Sequence, residues 1–121
     1  VLWEVSGSSS EFKSKDEVVI HGPSLLVPLE QGMAELRAGF AKLDIQRQLC
    51  WLSSNVQVLN VEGMSLSSGE LKYSMEDKIL LFSKGFVMSR DFYKVEGREG
   101  YYRMETGLLK TDGRTDLEVM R

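Results

Sequence analysis

One histidine and one cysteine stand in the 121 residues, and each shortage closes off chemistry. His21 alone rules out a two-histidine metal site within the chain. Any Ser-His-Asp or Cys-His pair would have to use it. Its place before Gly22-Pro23 reads as a turn. Cys50 has no partner for an intramolecular disulfide, and beside Trp51 in an apolar stretch it reads as buried and inert. Its solitude fits a reducing compartment. No asparagine begins an N-x-Ser/Thr acceptor, and the expectation is an intracellular protein, cytoplasmic or nuclear. No apolar run approaches the roughly 18 residues of a membrane span, so a soluble chain without a transmembrane segment is expected. Global basic excess is missing too: the net charge is −3, against the surplus of Lys and Arg that duplex DNA binding calls for.

What remains is ordinary for a globular protein: 42% hydrophobic and 27% charged residues. A chain of this length buries enough surface to fold as one domain without staples. The reading is a single domain over 1–121, with 6–11 as a flexible Ser/Gly loop.

Val1–Val5 alternates weakly as a strand, and Val18-Val19-Ile20 before His21-Gly22-Pro23 reads as another. Leu29, Met33, Leu36, Phe40 and Leu43 are spaced 4, 3, 4, 3, which predicts one face of a helix with Pro28 in its first turn and a kink near Asp44. Gly32 and Gly39 beside this seam suggest close approach by another backbone. From Asn55 the period is two. Val56 and Val58 alternate in one phase and Leu59 and Val61 in the other, a slip that suggests a bulge. Gly63–Gly69 reads as a turn, Gly85 as a bend, Gly97–Gly100 as a hairpin turn and Thr111-Asp112-Gly113 as another. The fold class expected is α+β: an antiparallel meander of about six strands packed against one long helix.

Catalytic signatures are missing. There is no phosphate-cradling glycine loop and no EF-hand spacing; the carboxylates fall on turns and polar positions. No catalytic residue, metal or cofactor is expected, and the reading leans away from an enzyme. Two surfaces stand out. Leu25, Leu26 and Val27 before the seam, with Trp51 and Leu52 after it, form an apolar surplus that suits self-association or another protein partner. Six methionines, among them Met33, Met64 and Met120, suit adaptable contacts. The segment 78–103 sets six basic residues against three acidic ones, a local charge of +3, and holds six of the eleven aromatics. Lys84, Phe86, Arg90, Tyr93, Lys94, Tyr102 and Arg103 would there grip single-stranded nucleic acid, cations on phosphates and rings on bases. Lys84-Gly85-Phe86 opens like the sheet motif of RNA-recognition domains, but Val87-Met88-Ser89 breaks it.

The first expectation is therefore a non-enzymatic, self-associating interaction or assembly module. The alternative is a single-stranded nucleic-acid binder. A further alternative is a small-ligand binder with a cavity between helix and sheet.

Overall fold

Alternation of apolar and polar residues, the pattern of a half-buried strand, governs the chain almost end to end. The computed structural model describes residues 4–29, 32–61 and 63–119, and among them there is no helix. Eleven strands join one sheet. They are β1 Glu4–Ser6, β2 Ser9–Phe12, β3 Glu17–His21, β4 Ser24–Leu29, β5 Gly32–Arg37, β6 Phe40–Asp44, β7 Leu49–Val61, β8 Met64–Ser74, β9 Ile79–Arg90, β10 Tyr93–Arg103 and β11 Leu109–Val119. Every pairing is antiparallel.

The topology is a meander folded over across its middle. One side of β7 is shared: Leu49–Ser53 pairs with β6, and Gln57–Leu59 with β5. Beyond them β3 and β2 extend the first half of the sheet, while β4 and β1 extend the second. The short strands meet end to end at Gly7-Ser8, Gly22-Pro23 and Ala38-Gly39. The long strands β7 to β11 cross from half to half without a break in sequence. Hydrogen bonds carry the ladder through the fold line: Ser8 N donates to His21 O at 2.9 Å, Gly22 N to Gly39 O at 2.9 Å and Gly39 N to Ser54 O at 2.8 Å.

The fold line is written into the chain as residues that tolerate sharp bends. Ser54 and Asn55 have φ of 69° and 57°, Lys84 and Gly85 of 59° and 84°, and Gly113 of 84°. The left-handed region costs a residue with a Cβ about 1–2 kcal/mol, so it is occupied only where the turn demands it. Register shifts fall at the same level, between Ser53 and Val56, Ser68 and Glu70, and Gly97 and Gly100. Such bulges sharpen a strand's bend.

Folding the sheet lays its two inner faces against each other. Val18, Ile20, Leu43, Leu52, Tyr73 and Phe82 of the first half and Leu25, Leu36, Val58, Leu66 and Met88 of the second join one buried cluster. Phe82 and Phe86, on either side of the bend in β9, touch with ring centroids 4.5 Å apart. Away from the fold line, hydrogen bonds among the described residues also span the halves: Arg90 Nη2 donates to Tyr102 Oη at 3.0 Å, and Lys78 Nζ to Pro28 O at 3.4 Å.

The α+β expectation is thereby corrected to all-β, and the reason lies in the seam. Leu29 ends β4, Met33 and Leu36 lie in β5, and Phe40 and Leu43 in β6. Within each strand burial has period two: Ala34 and Leu36, then Ala41 and Leu43, are buried. The corner at Ala38-Gly39 inserts an odd step between these runs, so the chain keeps 7-residue intervals between Leu29, Leu36 and Leu43 that imitate a heptad. Met33 is exposed and Phe40 faces out, as no helix seam would allow. The close backbone approach expected at Gly32 and Gly39 is met only in part: a Cβ at Gly39 would lie 2.9 Å from the Ser54 side-chain Oγ and 3.4 Å from its backbone oxygen, and a Cβ at Gly32 would meet nothing within 4 Å.

Other turns are also reassigned. Gly97–Gly100 lies within β10 and Thr111–Gly113 within β11 as corners, and most of Gly63–Gly69 belongs to β8. Ser6–Glu11 is not a loop throughout, since it holds the end of β1 and much of β2. The phase slip after Val58 does coincide with a register shift between Val58 and Val61. Val1–Trp3 of the expected first strand, Glu30 of the expected helix and Met120 lie outside the described residues.

Candidate functional site

Among the described residues no three His, Cys, Asp or Glu side chains gather to hold a metal ion. The lone thiol is inside the fold: burial pushes the Cys50 thiol up to about 12, far above the range of a working nucleophile. Tyr73 is wholly buried and its hydroxyl has no hydrogen-bond partner. Burial, then the charges of Cys50 and Glu105, raise its pKa. The inner face is thus apolar and unreactive, suited to contact with hydrocarbon and little else.

This inner face does not end at the core. Residues directly opposite one another across a ladder share a face. Phe12 is opposite buried Val18, Leu117 opposite buried Val95, and Val119 opposite Tyr93. All three therefore face inward, yet Phe12 is 63% exposed, Leu117 65% and Val119 57%. The apolar lining runs out to both edges of the sheet and stays uncovered there. The strands at those edges, β1 and β2 on one side and β11 on the other, each have a neighbour on one side only among the described residues. Their free backbone groups are a template for further strand pairing.

The outer face of the first half carries a different feature. Lys42, Trp51, Lys72, Leu81, Tyr101 and Lys110 are directly opposite one another in turn across β6 to β11. They form a row on the side away from the core. The Lys42 and Lys72 ammonium groups sit 5.9 Å and 5.6 Å from the Trp51 ring centroid, within cation–π range. The next row toward the fold line holds Phe40, Ser53, Glu70 and Ser83, with Glu99 opposite Asp112 on β10 and β11. Apart from Lys110, the two rows line a groove of about 620 Å³.

The surfaces expected from sequence do not assemble as such. Leu25, Val27 and Leu52 are buried in the core, while Leu26 and Trp51 are half-buried on the outer face. Strand alternation sends neighbours in sequence to opposite sides, so the five are not one patch. The basic aromatic set divides likewise. Phe86 and Tyr102, the rings expected to stack on bases, are buried. Tyr93 packs against the core, and Arg90 is bonded to Tyr102. Lys84 pairs with Glu70 at 2.7 Å and Lys94 with Glu96 at 2.8 Å; Arg103 is exposed at the far end of β10. Within this set no row of cations remains beside a row of rings, and a nucleic-acid role has no support. With no helix, the cavity expected between helix and sheet is also gone. The sequence reading missed the Lys42–Trp51–Lys72 row, which cross-strand register alone brings together, and the uncovered edge residues Phe12, Leu117 and Val119.

No family model matches the chain, and no curated protein does. Among solved structures the chain is similar to LptH from Pseudomonas aeruginosa, described as the LptA-homologous periplasmic component of the conserved lipopolysaccharide transport device. The TM-score is 0.83 with 10% sequence identity, over 98% of this chain and 95% of that one. The likeness is one of fold. It places the chain among jellyroll-like all-β folds of the LptA type and confirms the correction from α+β. The cytoplasmic or nuclear expectation is not upheld: the solved structure that shares this fold is described as that of a periplasmic component.

Proposed function

We propose that this chain is a single-domain, self-associating, non-enzymatic component of a periplasmic lipid transport path, which carries the acyl chains of lipopolysaccharide along its inner face. The observation that carries this reading is the apolar lining that continues, uncovered, to both edges of the folded sheet at Phe12, Leu117 and Val119. A closed monomer gains nothing from inward-facing apolar residues left in water, at roughly 25 cal/mol per Å². A second copy that adds its β1–β2 edge to β11 covers them and extends the lining from one copy into the next. The cargo named for LptH is an acylated glycolipid, and acyl chains are what an apolar, unreactive inner face fits. Entry is between the halves, where the bonds from Arg90 to Tyr102 and from Lys78 to Pro28 are the polar links that must part.

A photoreactive phenylalanine analogue tests the path. It is placed at inward-facing position 117 in one protein and at the outward-facing neighbour Glu118 in another, and both are irradiated with lipopolysaccharide. Crosslinking at 117 and not at 118 is expected. Equal crosslinking at both positions, or none at either, removes the inner face as the path.

A further inference from the structure

The groove on the outer face of the first half plays no part in the path just described. Trp51 points away from the core, while its neighbours Cys50 and Leu52 point into it. Its partners Leu81 and Tyr101 are also on the outer face, so three large apolar side chains in one row contribute little to the interior. Leu81 is 46% exposed. An uncovered apolar row rimmed by charge is how a recognition surface is built.

The charges show what such a surface would hold. Lys42 is held by Glu17 at 3.3 Å. Lys72 is half-buried beside the Trp51 ring, and among the described residues no carboxylate lies within ion-pair distance of it. The row on the fold-line side is acidic. Glu70 is already paired with Lys84, whereas Glu99 and Asp112 face each other across β10 and β11 and are both exposed. The groove thus offers ring faces along its floor, an uncompensated ammonium group on one side and hydrogen-bond acceptors on the other.

A plain acyl chain would strip water from Lys72 and the carboxylates and give nothing back. A nucleic-acid strand would set its phosphates against Glu99 and Asp112, where neutralising cations are needed. A hydroxylated anion satisfies every group at once. The C–H face of a pyranose lies on Trp51 or Tyr101. Its acidic group pairs with Lys72, and its hydroxyls donate to Glu99 and Asp112. We propose that this outer groove is a saccharide site that takes an acidic sugar, carboxylated or phosphorylated, through Trp51, Tyr101 and Lys72. The site rests on its own geometry and stands whether or not the inner face carries lipid.

The full chain carrying Trp3→Phe has Trp51 as its one tryptophan, so fluorescence reports on the groove alone. It is titrated at low ionic strength with trigalacturonate, glucose 6-phosphate, neutral maltotriose and inorganic phosphate. A saturable change in Trp51 emission with one or both acidic sugars is expected, with little response to maltotriose or phosphate alone. Lys72→Gln, which removes the charge at an outward-facing position, weakens binding about tenfold, the scale of one charge-assisted contact. Lys94→Gln in the other half leaves it unchanged. Response to trigalacturonate alone or to glucose 6-phosphate alone assigns the acid as carboxylate or phosphate. No saturable change with either, an equal response to inorganic phosphate, or binding indifferent to Lys72→Gln would overturn the site. The crosslinking at position 117 is read separately, so failure of one leaves the other standing.

Discussion

Gly69 and Lys84 meet across the fold line so closely that a Cβ on Gly69 would stand 2.7 Å from the Lys84 carbonyl oxygen. That oxygen is backbone and the next atom, the Lys84 Cβ at 3.0 Å, is bonded directly to backbone, so neither swings aside. Gly69→Ala therefore strains the bend of two strands at once, and a loss of about 1–3 kcal/mol is expected, the usual range for overpacking. Gly113 is a contrast, with a φ of 84° and open space around its missing Cβ. Gly113→Ala meets only the left-handed backbone cost of about 1–2 kcal/mol. Urea unfolding measures both losses; a Gly69→Ala loss well under about 1 kcal/mol would mean that the contact at Gly69 relaxes freely.

The hydrogen bond from Arg90 to Tyr102 joins the halves away from the fold line. Tyr102→Phe keeps the buried ring and removes the acceptor. A hydrogen bond to a charged group contributes about 1.5–3 kcal/mol, and a loss in that range is expected. If the halves part here to admit an acyl chain, lipopolysaccharide also binds Tyr102→Phe faster than it binds the unaltered chain. Stopped-flow mixing measures that rate.

Leu117 and Phe12 face inward at opposite edges and are exposed. Leu117→Asp places a charge on the lining where a second copy would cover it. The expected outcome is loss of self-association by light scattering, with stability within about 0.5 kcal/mol of the original, as for exposed substitutions generally. Glu118→Lys, on the outer face of the same strand, leaves the mass unchanged. Association that persists in Leu117→Asp would count against edge-to-edge assembly.

Cys50 gives the folded chain a pH dependence. Its thiol is pushed up to about 12, from an ordinary value of 9.0. Below pH 9 both folded and unfolded chains keep the proton, and this contribution to stability is complete. As pH rises from 9 toward 12 the unfolded chain gives up the proton while the folded chain holds it, so the balance shifts toward unfolding. Stability is expected to fall over that window, and less steeply in Cys50→Ala. Chemical denaturation at pH 8 and pH 10.5 gives the slope. Alkylation of the thiol by iodoacetamide at pH 8 should wait on unfolding, since the group is buried and protonated.

Much of the strand content could be read in the sequence. Val18-Val19-Ile20, the slip after Val58 and the bend at Gly85 are local signals, and period-two burial is a local property. The helix over Leu29–Leu43 misled for an equally physical reason. Two short strands joined by a corner produce intervals of seven, and periodicity alone cannot separate that from a heptad. Ala34 and Ala41, the buried positions that would have shown the period of two, carry little hydrophobic weight. Alternation divides the candidate surface: Leu25 and Val27 point into the core, while Leu26 between them points to the opposite face.

The sequence by itself determined the exclusion of a two-histidine metal site within the chain, the isolation of Cys50 and much of the pattern of half-buried strands, because each depends on residue type or on near neighbours. The tertiary structure alone decided that the meander folds over across its middle. That step depends on bends in strands far apart in sequence falling at one level, at Gly22, Gly39, Ser54, Gly69, Gly85 and Gly113. Only the register that follows sets Lys42 and Lys72 on either side of Trp51 and carries the inner face out to Phe12 and Leu117, since cross-strand neighbours are chosen by pairing and not by proximity along the chain.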